Sequence, residues 1–537
     1  MKTFLSLFAL SALAAGGTIM PGLEEVLVRA RPDELVDVMV QPCRRADLSS
    51  PRAVAGYDEK LGYLRSAADS VQRDILGWLA TTGAANVRPF LLAGRIALSA
   101  TPAVVRELAA RADVDYVIDD FAVFLEPAGA APTAEPDCSP RWNISIIRAP
   151  ECWVEGYDGA GVVVASITTG VETTHEALSG RWRATDGWFD AVNSHPDPYD
   201  DNGHGTHTIG SAVGGCDIGV APGATYIAAK AINAGGAGQS SWILACLDWL
   251  AEHGRPDVLL AAWTSASRYD EFWFAPHAYL RYLGIIHTAT IGSSGPNGAT
   301  SLPPGSYPVA IGVGATDSSD EVAVFSARGP APDRAPWNGN EYWPRPDWNL
   351  INPGIAAPGV NILSARHTGG YLMMSGTAMA TAHAAGAVAV LRQKDPGLTH
   401  DEAFSLLADH AARPSSGAPY PNQSYGWGRL DVKAALDAVQ VGMAGPPYIG
   451  VQPGRLSLAP NPPAGGWATL HYSLPGSGPA GVTVRDVTGR VVAVARTPDH
   501  LAVGSLPLDL RALSGGVHFV TLETAGFRRM EKFVLPE

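Results

Sequence analysis

The chain has 537 residues, of which 46% are hydrophobic and 17% charged, with a formal net charge of −14. That length exceeds one small domain, and the apolar share supplies ample core, so a disordered chain is excluded. The acidity, with no basic cluster anywhere along the sequence, excludes a nucleic-acid-binding protein.

Residues 1–14, MKTFLSLFALSALA, place one lysine before a short apolar run that closes on Ala12-Leu13-Ala14. This pattern predicts a cleaved signal peptide, too short to span a bilayer, and hence a secreted protein. No other apolar run is long enough to cross a membrane, so no membrane span is expected. Residues 22–127 form a first unit. Leu35 to Val40 alternates as a strand, Leu61 to Ala80 carries helical spacing, Asn86 to Ala100 is a strand pair around Gly94, Pro102 opens a helix to Ala112, and Val114 to Val123 is a further strand. The β-α-β-β-α-β order predicts a ferredoxin-like α+β fold. Residues 128–137, rich in Pro and Ala, read as an extended linker.

Residues 138–440 are the main domain. Near-continuous apolar runs at 161–167, 224–232, 257–263, 284–292 and 307–315 alternate with helical segments. Strands buried on both faces imply a doubly wound α/β fold on a parallel sheet, with its active site at the carboxyl ends of the strands. A second linker follows at 441–454. The last unit, 455–537, alternates with period two at Trp467 to Leu474 and has hairpins turning near Gly489 and at Ala525-Gly526, which predicts a small β-sandwich.

The chemistry-bearing stretch is Met374-Ser-Gly-Thr-Ala-Met-Ala-Thr-Ala-His-Ala-Ala-Gly386, a small-residue turn running into an apolar helix. It resembles the serine motif G-T-S-M-A-[TS]-P-H-V-A-G of the subtilisin-like (S8) serine proteases, with Gly376, Thr377, Met379, Ala380, Thr381, His383 and Gly386 matching. The flanks place the nucleophilic serine on position 378, which is Ala378. The family's other motifs locate the remaining parts. Asp200-Asp-Asn-Gly-His-Gly-Thr-His-Thr-Ile-Gly210 matches the histidine motif, so His204 holds the general-base position and His207 is the usual second histidine. Val164-Ala-Ser-Ile-Thr-Thr-Gly-Val171 aligns with V-x-x-I-D-T-G-V, which puts Thr168 where the carboxylate belongs. Thr288-Ala-Thr-Ile-Gly-Ser-Ser-Gly-Pro-Asn297 aligns with the oxyanion segment and puts Ser293 in place of the donor asparagine, while Asn297 lies beyond the Gly-Pro. Ala262 and Thr264 replace Ser and Gly on the strand that pairs with substrate, and Thr264 is expected to narrow close backbone approach. Ser375 is the nearest hydroxyl to position 378 but should point elsewhere.

A Ser-His-Asp protease needs a nucleophile, a base, an orienting carboxylate and an oxyanion donor. In a subtilisin, losing the nucleophile alone costs ~2 × 10⁶ in turnover, and losing the side-chain oxyanion donor costs about 10²–10³. Three such groups are absent here. The resemblance therefore implies a secreted pseudoprotease that serves as a binding or structural module. The competing reading is a serine endopeptidase with an unorthodox site.

Further resemblances fill in the frame. The stretches 188–192, 219–224 and 246–249 resemble bacillopeptidase F-like subtilases. The 22–127 unit resembles the I9-type prodomain, which implies a prodomain docked on the cleft. Pro460-Asn461-Pro462, the 486–490 run and Lys532-Phe533-Val534 resemble sorting domains of the type IX secretion machinery, which would then be a partner, beside a polypeptide ligand of the cleft. No cofactor is implied. A family-type structural calcium has no locatable ligand set, since Asp197, Asp200 and Asp201 read equally as a solvated loop. Five cysteines fit an oxidising compartment. Of the three connectivities open to four of them, the expected pairs are Cys138–Cys152 and Cys216–Cys246, with Cys43 left over.

Overall fold

The computed structural model describes residues 16–43, 56–125, 129–131, 141–339, 342–343, 350–440, 456–464, 467–473, 481–496, 503–524 and 527–535. The signal-peptide segment 1–14, most of the 128–137 linker, Cys138 and the 441–454 linker lie outside them. The chain divides into two compact units between Ala444 and Gly445.

The first unit begins with an α+β layer. It contains β1 (Thr18–Ile19), α1 (Pro21–Arg29), β2 (Val36–Pro42), α2 (Tyr57–Leu79), β3 (Ala85–Pro89), β4 (Ile96–Ala100), α3 (Pro102–Ala109) and β5 (Val114–Asp119). The sheet order is β1-β5-β2-β4-β3. α2 buries Leu61, Leu64, Ala68, Gln72, Ile75 and Leu79, a three-and-four spacing that keeps one stripe on the sheet. α3 opens with Pro102 in its first turn, where a missing N–H costs nothing. The β-α-β-β-α-β order read from the sequence is therefore present in β2 to β5. The short β1, pairing parallel with β5, and α1 are additions that their brevity hid. Two small strands follow, β6 (Ala122–Phe124) and β7 (Gly129–Ala131).

The α/β core of the same unit runs through α4 (Trp142–Ile146), α5 (Ala149–Val154), β8 (Val163–Thr168), β9 (Trp188–Asp190), α6 (His204–Val213), β10 (Thr225–Lys230), β11 (Ala237–Gln239) and α7 (Ser240–Trp249). It continues with β12 (Val258–Ala261), α8 (Phe274–Leu283), β13 (Ile286–Thr290), β14 (Ile311–Thr316), β15 (Ile355–Pro358), β16 (Ile362–Ala365), β17 (Tyr371–Ser375), α9 (Thr377–Lys394), α10 (His400–Asp409) and α11 (Val432–Ala438). Seven strands form one sheet in the order β15-β14-β13-β12-β8-β10-β9, every pairing parallel. The five apolar runs of the sequence are β8, β10, β12, β13 and β14, all buried, as a sheet covered on both faces requires. α9 is apolar all round, with every residue from Met379 to Leu391 buried. α10 is started by a capping box between Thr399 and Glu402.

The second unit is all-β. β18 (Leu456–Ala464), β19 (Trp467–Ser473) and β22 (Val503–Asp509) form one antiparallel sheet. β20 (Gly481–Asp486), β21 (Val491–Arg496), β23 (Gly516–Thr524) and β24 (Phe527–Leu535) form another. Leu470 and Leu508 from the first meet Val482, Val484, Val520, Leu522 and Phe533 from the second in one core, the packing of a sandwich. Gly489, at φ +84°, makes the turn between β20 and β21.

The cysteine expectation is overturned. Cys152 and Cys246 are both free thiols, so neither Cys138–Cys152 nor Cys216–Cys246 forms. Each sulfur instead lies against a local carbonyl, Cys152 near Arg148 at 3.8 Å and Cys246 near Lys230 at 3.7 Å. Both behave as small core hydrophobes. Burial pushes the Cys152 thiol up to about 12 and raises Cys246 further. Cys43 carries a thiol that donates to the Ala112 carbonyl at 3.5 Å, and Cys216 is not among the free thiols. Iodoacetamide added in denaturant without reductant should therefore alkylate both Cys152 and Cys246. Peptide mapping in which either stays unlabelled until reduction would restore a pairing.

Candidate active site

The site lies at the carboxyl ends of the parallel strands, and three elements deliver its groups. β8 ends at Thr168, α6 begins at His204, and α9 begins at Thr377 with Ala378 in its first turn. The turn into α9 is tight because Gly376 N–H donates to Gly359 O at 2.8 Å, and a Cβ on Gly359 would meet Ala315 Cβ at 2.6 Å. The turn into α6 needs Gly203 at φ +103°, where a Cβ would also meet His367 Nδ1 at 2.4 Å.

Thr168 Oγ1 and His204 Nδ1 share a hydrogen bond of 2.9 Å, so the substituted residue still touches the imidazole nitrogen that a carboxylate would hold. The bond orients the ring but carries no charge. Burial pulls the His204 pKa down to about 4, with Asp200 opposing only in part. His204 is therefore a neutral imidazole across the physiological range. Asp200 cannot replace the missing carboxylate, because its own oxygens are saturated. They accept from Thr169 Oγ1, Asn202 N, Gly203 N, Thr206 N and Thr206 Oγ1 at 2.7 to 3.1 Å. Burial raises its pKa, but the bonds from Gly203, Thr206 and Asn202 outweigh this and hold it below the usual range. It acts as the cap of α6.

His204, Trp263, Thr264, Thr290, Ser293 and Ala378 line one cavity. The structure thus gathers His204, Ser293 and Ala378 around one space, with Thr168 behind the histidine. Ser293 Oγ lies 3.3 Å from Thr377 Oγ1, which is 2.5 Å from Thr290 Oγ1. The serine hydroxyl is committed to this chain of hydroxyls, as its short side chain predicts. Thr290 and Thr377 are the residues that sequence reasoning missed. Both sat inside the quoted motifs, and only the fold joins them. Ser375 is turned away: its Oγ accepts from Asn361 N at 2.8 Å. His207 Nε2 donates to the Ile362 and Leu372 carbonyls at 3.0 Å and is structural. Asn297 is exposed and does not line the cavity. Among the described residues no group of three or more His, Cys, Asp or Glu side chains is arranged to hold a metal ion. Asp201 is paired with the buried Lys230 ammonium at 2.6 Å.

An extended segment lies along each side of the cavity. β6 pairs antiparallel with β11, Leu125 N–H donates to Gly236 O at 2.9 Å, and Phe124 bridges to Thr264. Val123 is buried there, and Phe124 points outward. Thr264 therefore does not prevent backbone pairing, contrary to the narrowing its β-branch suggested. The backbone groups that pair lie in the plane of the strands, and the side chain stands out of it. Beyond the cavity, β7 pairs antiparallel with β17, the strand that leads into Ala378. The α+β layer is tied to the core by further polar contacts. Asp120 accepts from Ser240 Oγ and Ser241 N, and Asp248 accepts from Leu91 N and Leu92 N.

A parallel sheet thus brings a histidine and a helix-start residue to one pocket at its carboxyl edge. The profile of the subtilase family, Peptidase S8, matches residues 159–428, half of the sequence, and the chain belongs to that family. It is 30% identical over 466 residues to bacillopeptidase F of Bacillus subtilis (strain 168), an alignment covering 77% of this chain and 31% of that protein. The chain thus spans about a third of that relative's length. It is also 29% identical to subtilisin E of the same organism, over 71% of this chain and 89% of that one. Serine protease AprX, again from B. subtilis (strain 168), is 34% identical over 46% of this chain and 61% of its own length.

A carboxylate within bonding distance of an imidazole raises its pKa by about 1 to 3 units. Thr168→Asp should therefore move His204 upward by that amount, as followed by the pH titration of its ring resonances in histidine-labelled protein. An unmoved His204 would mean that the two side chains do not touch.

Proposed function

We propose that this protein is a catalytically silent subtilase whose cleft holds an extended polypeptide rather than cutting one. The observation that carries this reading is Ala378. A methyl group faces His204 across the cavity where a hydroxyl must stand. The nearby hydroxyls are engaged elsewhere, Thr377 with Thr290 and Ser375 with Asn361 N. The base has lost its charged partner, and the oxyanion position has lost its long donor. Neither the oxyanion hole nor the base can supply the residual rate that such sites retain without a nucleophile. The names of the relatives, which include a serine protease, describe proteins of this fold and leave this chain's residues to decide.

The first occupant of the cleft in this reading is the chain's own retained prodomain, residues 22–127, whose β6 pairs with β11, while β7 of the following linker pairs with β17. Because an uncut prodomain is tethered, its local concentration is on the order of millimolar. A fluorophosphonate probe offered to the purified full chain should label nothing, and intact mass should show a single uncut polypeptide. The variant Thr168→Asp, Ser293→Asn, Ala378→Ser should gain both labelling and casein hydrolysis, since His204 is already in place. Covalent labelling of the unaltered protein would instead favour an endopeptidase.

The same proposal takes residues 1–14 as a signal peptide and the second unit as a type IX sorting domain, delivering the protein outside the cell. Support comes from the N-terminal pattern and from a sandwich with its own core. Deleting 455–537 should strand the protein in the periplasm of a type IX-competent host. Unchanged surface delivery, scored by immunoblot of cell fractions, would reduce that unit to an accessory β-domain.

A further inference from the structure

Three histidines outside the active site are packed against one another in the core. His277 comes from α8, His287 from β13 and His400 from α10, and none is more than 5% exposed. His277 Nδ1 and His287 Nε2 are 3.1 Å apart, and the His287 and His400 rings are 6.1 Å apart. Beyond them, His400 Nδ1 lies 3.2 Å from Asp401 Oδ1, and Asp401 is paired with Arg281 of α8. The charged groups that face the row are Arg281 from α8 and Asp401 from α10. Tyr307 and Trp263 edge His277 with their rings, and the Tyr307 hydroxyl is bound to the Asp270 carbonyl. The single carboxylate is already neutralised by the single guanidinium. His277 Nε2, His287 Nδ1 and His400 Nε2 make no hydrogen bond to the described protein atoms. A proton added to any of the rings therefore meets no counter-charge and lies near Arg281 in a dry environment.

α8 has a second face. The Phe272 carbonyl just before it accepts from Arg95 Nη1 at 2.9 Å, with the guanidinium stacked 3.7 Å from the Phe272 ring. Phe121 packs edge-on against Phe272 and Trp273, and Lys60 lies over the Tyr282 ring. Arg95, Phe121 and Lys60 all belong to the N-terminal α+β layer. The helix is thus held between that layer and the imidazole row.

We propose that His277, His287 and His400 form an acid-sensitive latch that holds α8 on the sheet, so that acid loosens α8 together with the N-terminal layer seated on it. The direction follows from burial. It pulls His277 down to about 3, lowers His287 well below its ordinary value with help from the two neighbouring histidines and Arg281, and lowers His400, where Arg281 adds to burial and Asp401 opposes. Groups whose folded pKa lies below the unfolded value of about 6.5 stabilise the fold above that pH. Their contribution is lost as pH falls through the range down to about 3. Asp248 pulls the other way. Burial raises its pKa to about 7 against the bonds from Leu92 and Leu91, so its protonation in the same window strengthens the seat of the layer.

Hydrogen exchange of the full chain between pH 7 and pH 4, expressed as protection factors, tests the latch. Each proton taken up on opening should lower α8 protection by about tenfold per pH unit. The loss should begin below pH 6 and be steeper than in α9, whose single buried His383 is also lowered and sets the comparison. The amides of α2 around Lys60, which lies over the Tyr282 ring of α8, should lose protection with α8. His287→Gln, which keeps polarity but cannot be protonated, should flatten the α8 profile by about tenfold per pH unit. If that variant does not fold, the unaltered protein still decides. Equal pH dependence in α8 and α9, or none in α8, overturns the latch. Protection around Lys60 in α2 that persists while α8 opens overturns its coupling to the layer.

Discussion

The architecture depends on how closely α9 can be buried. This helix is covered on every side, and it touches the strands of the main sheet as well as α6. Such contact requires small residues at the crossings. A Cβ on Gly386 would meet Val220 Cβ at 2.6 Å and Ala212 O at 2.7 Å, so even one methyl group overpacks the junction with α6. Overpacking of this kind costs about 1–3 kcal/mol. At the other end, Gly359 lets Ala315 and the turn at Gly376 approach. The position of Ala378 relative to His204 is thus fixed by packing that owes nothing to catalysis. The scaffold that aligns these groups is the hydrophobic core itself.

The side chains at positions 168, 293 and 378 are electrostatically consistent with one another. A working site must stabilise an imidazolium and an oxyanion, and so it holds a buried carboxylate and polar donors at some cost in desolvation. Here Thr168 binds a neutral His204, and Ser293 joins Thr377 and Thr290 in a chain of neutral hydroxyls. These five side chains bond to one another without charge. The buried charges nearby are paired or saturated for structural ends, Asp200 capping α6 and Lys230 held by Asp201 and two carbonyls. A neutral, hydrogen-bonded site is cheaper to bury than a charged one.

Much of this was legible in the sequence because period and punctuation are local. Runs such as 161–167 and 284–292 are too apolar for a half-exposed strand, and they became β8 and β13 of the parallel sheet. The flanks of position 378 let the motif be laid along the chain, and the fold brings His204, Ser293 and Ala378 to one cavity. What escaped was whatever depends on distant segments meeting. The hydroxyl chain joins Thr290 to Thr377, 87 positions apart. The proposed disulfides failed for the same reason, since the order of cysteines along the chain says nothing about where a sulfur points, and Cys246 is buried in the core. Thr264 misled in a simpler way. The rule that β-branching hinders approach concerns side chains, while the bridge to Phe124 is made by backbone.

The backbone pairing on both sides of the cavity bears on why such a cleft would be kept. β6 pairs with β11 and bridges to Thr264, and β7 adds to β16 and β17 as a third strand. In each place the recognised feature is an extended main chain, satisfied through N–H and C=O groups that every peptide carries. Affinity in this mode comes from the ladder and specificity from alternate side chains, here the buried Val123 against the outward Phe124. None of these interactions needs the triad. Under the proposed reading, only differential stabilisation of the transition state is given up, because backbone pairing with an extended chain does not depend on the side chain at position 378.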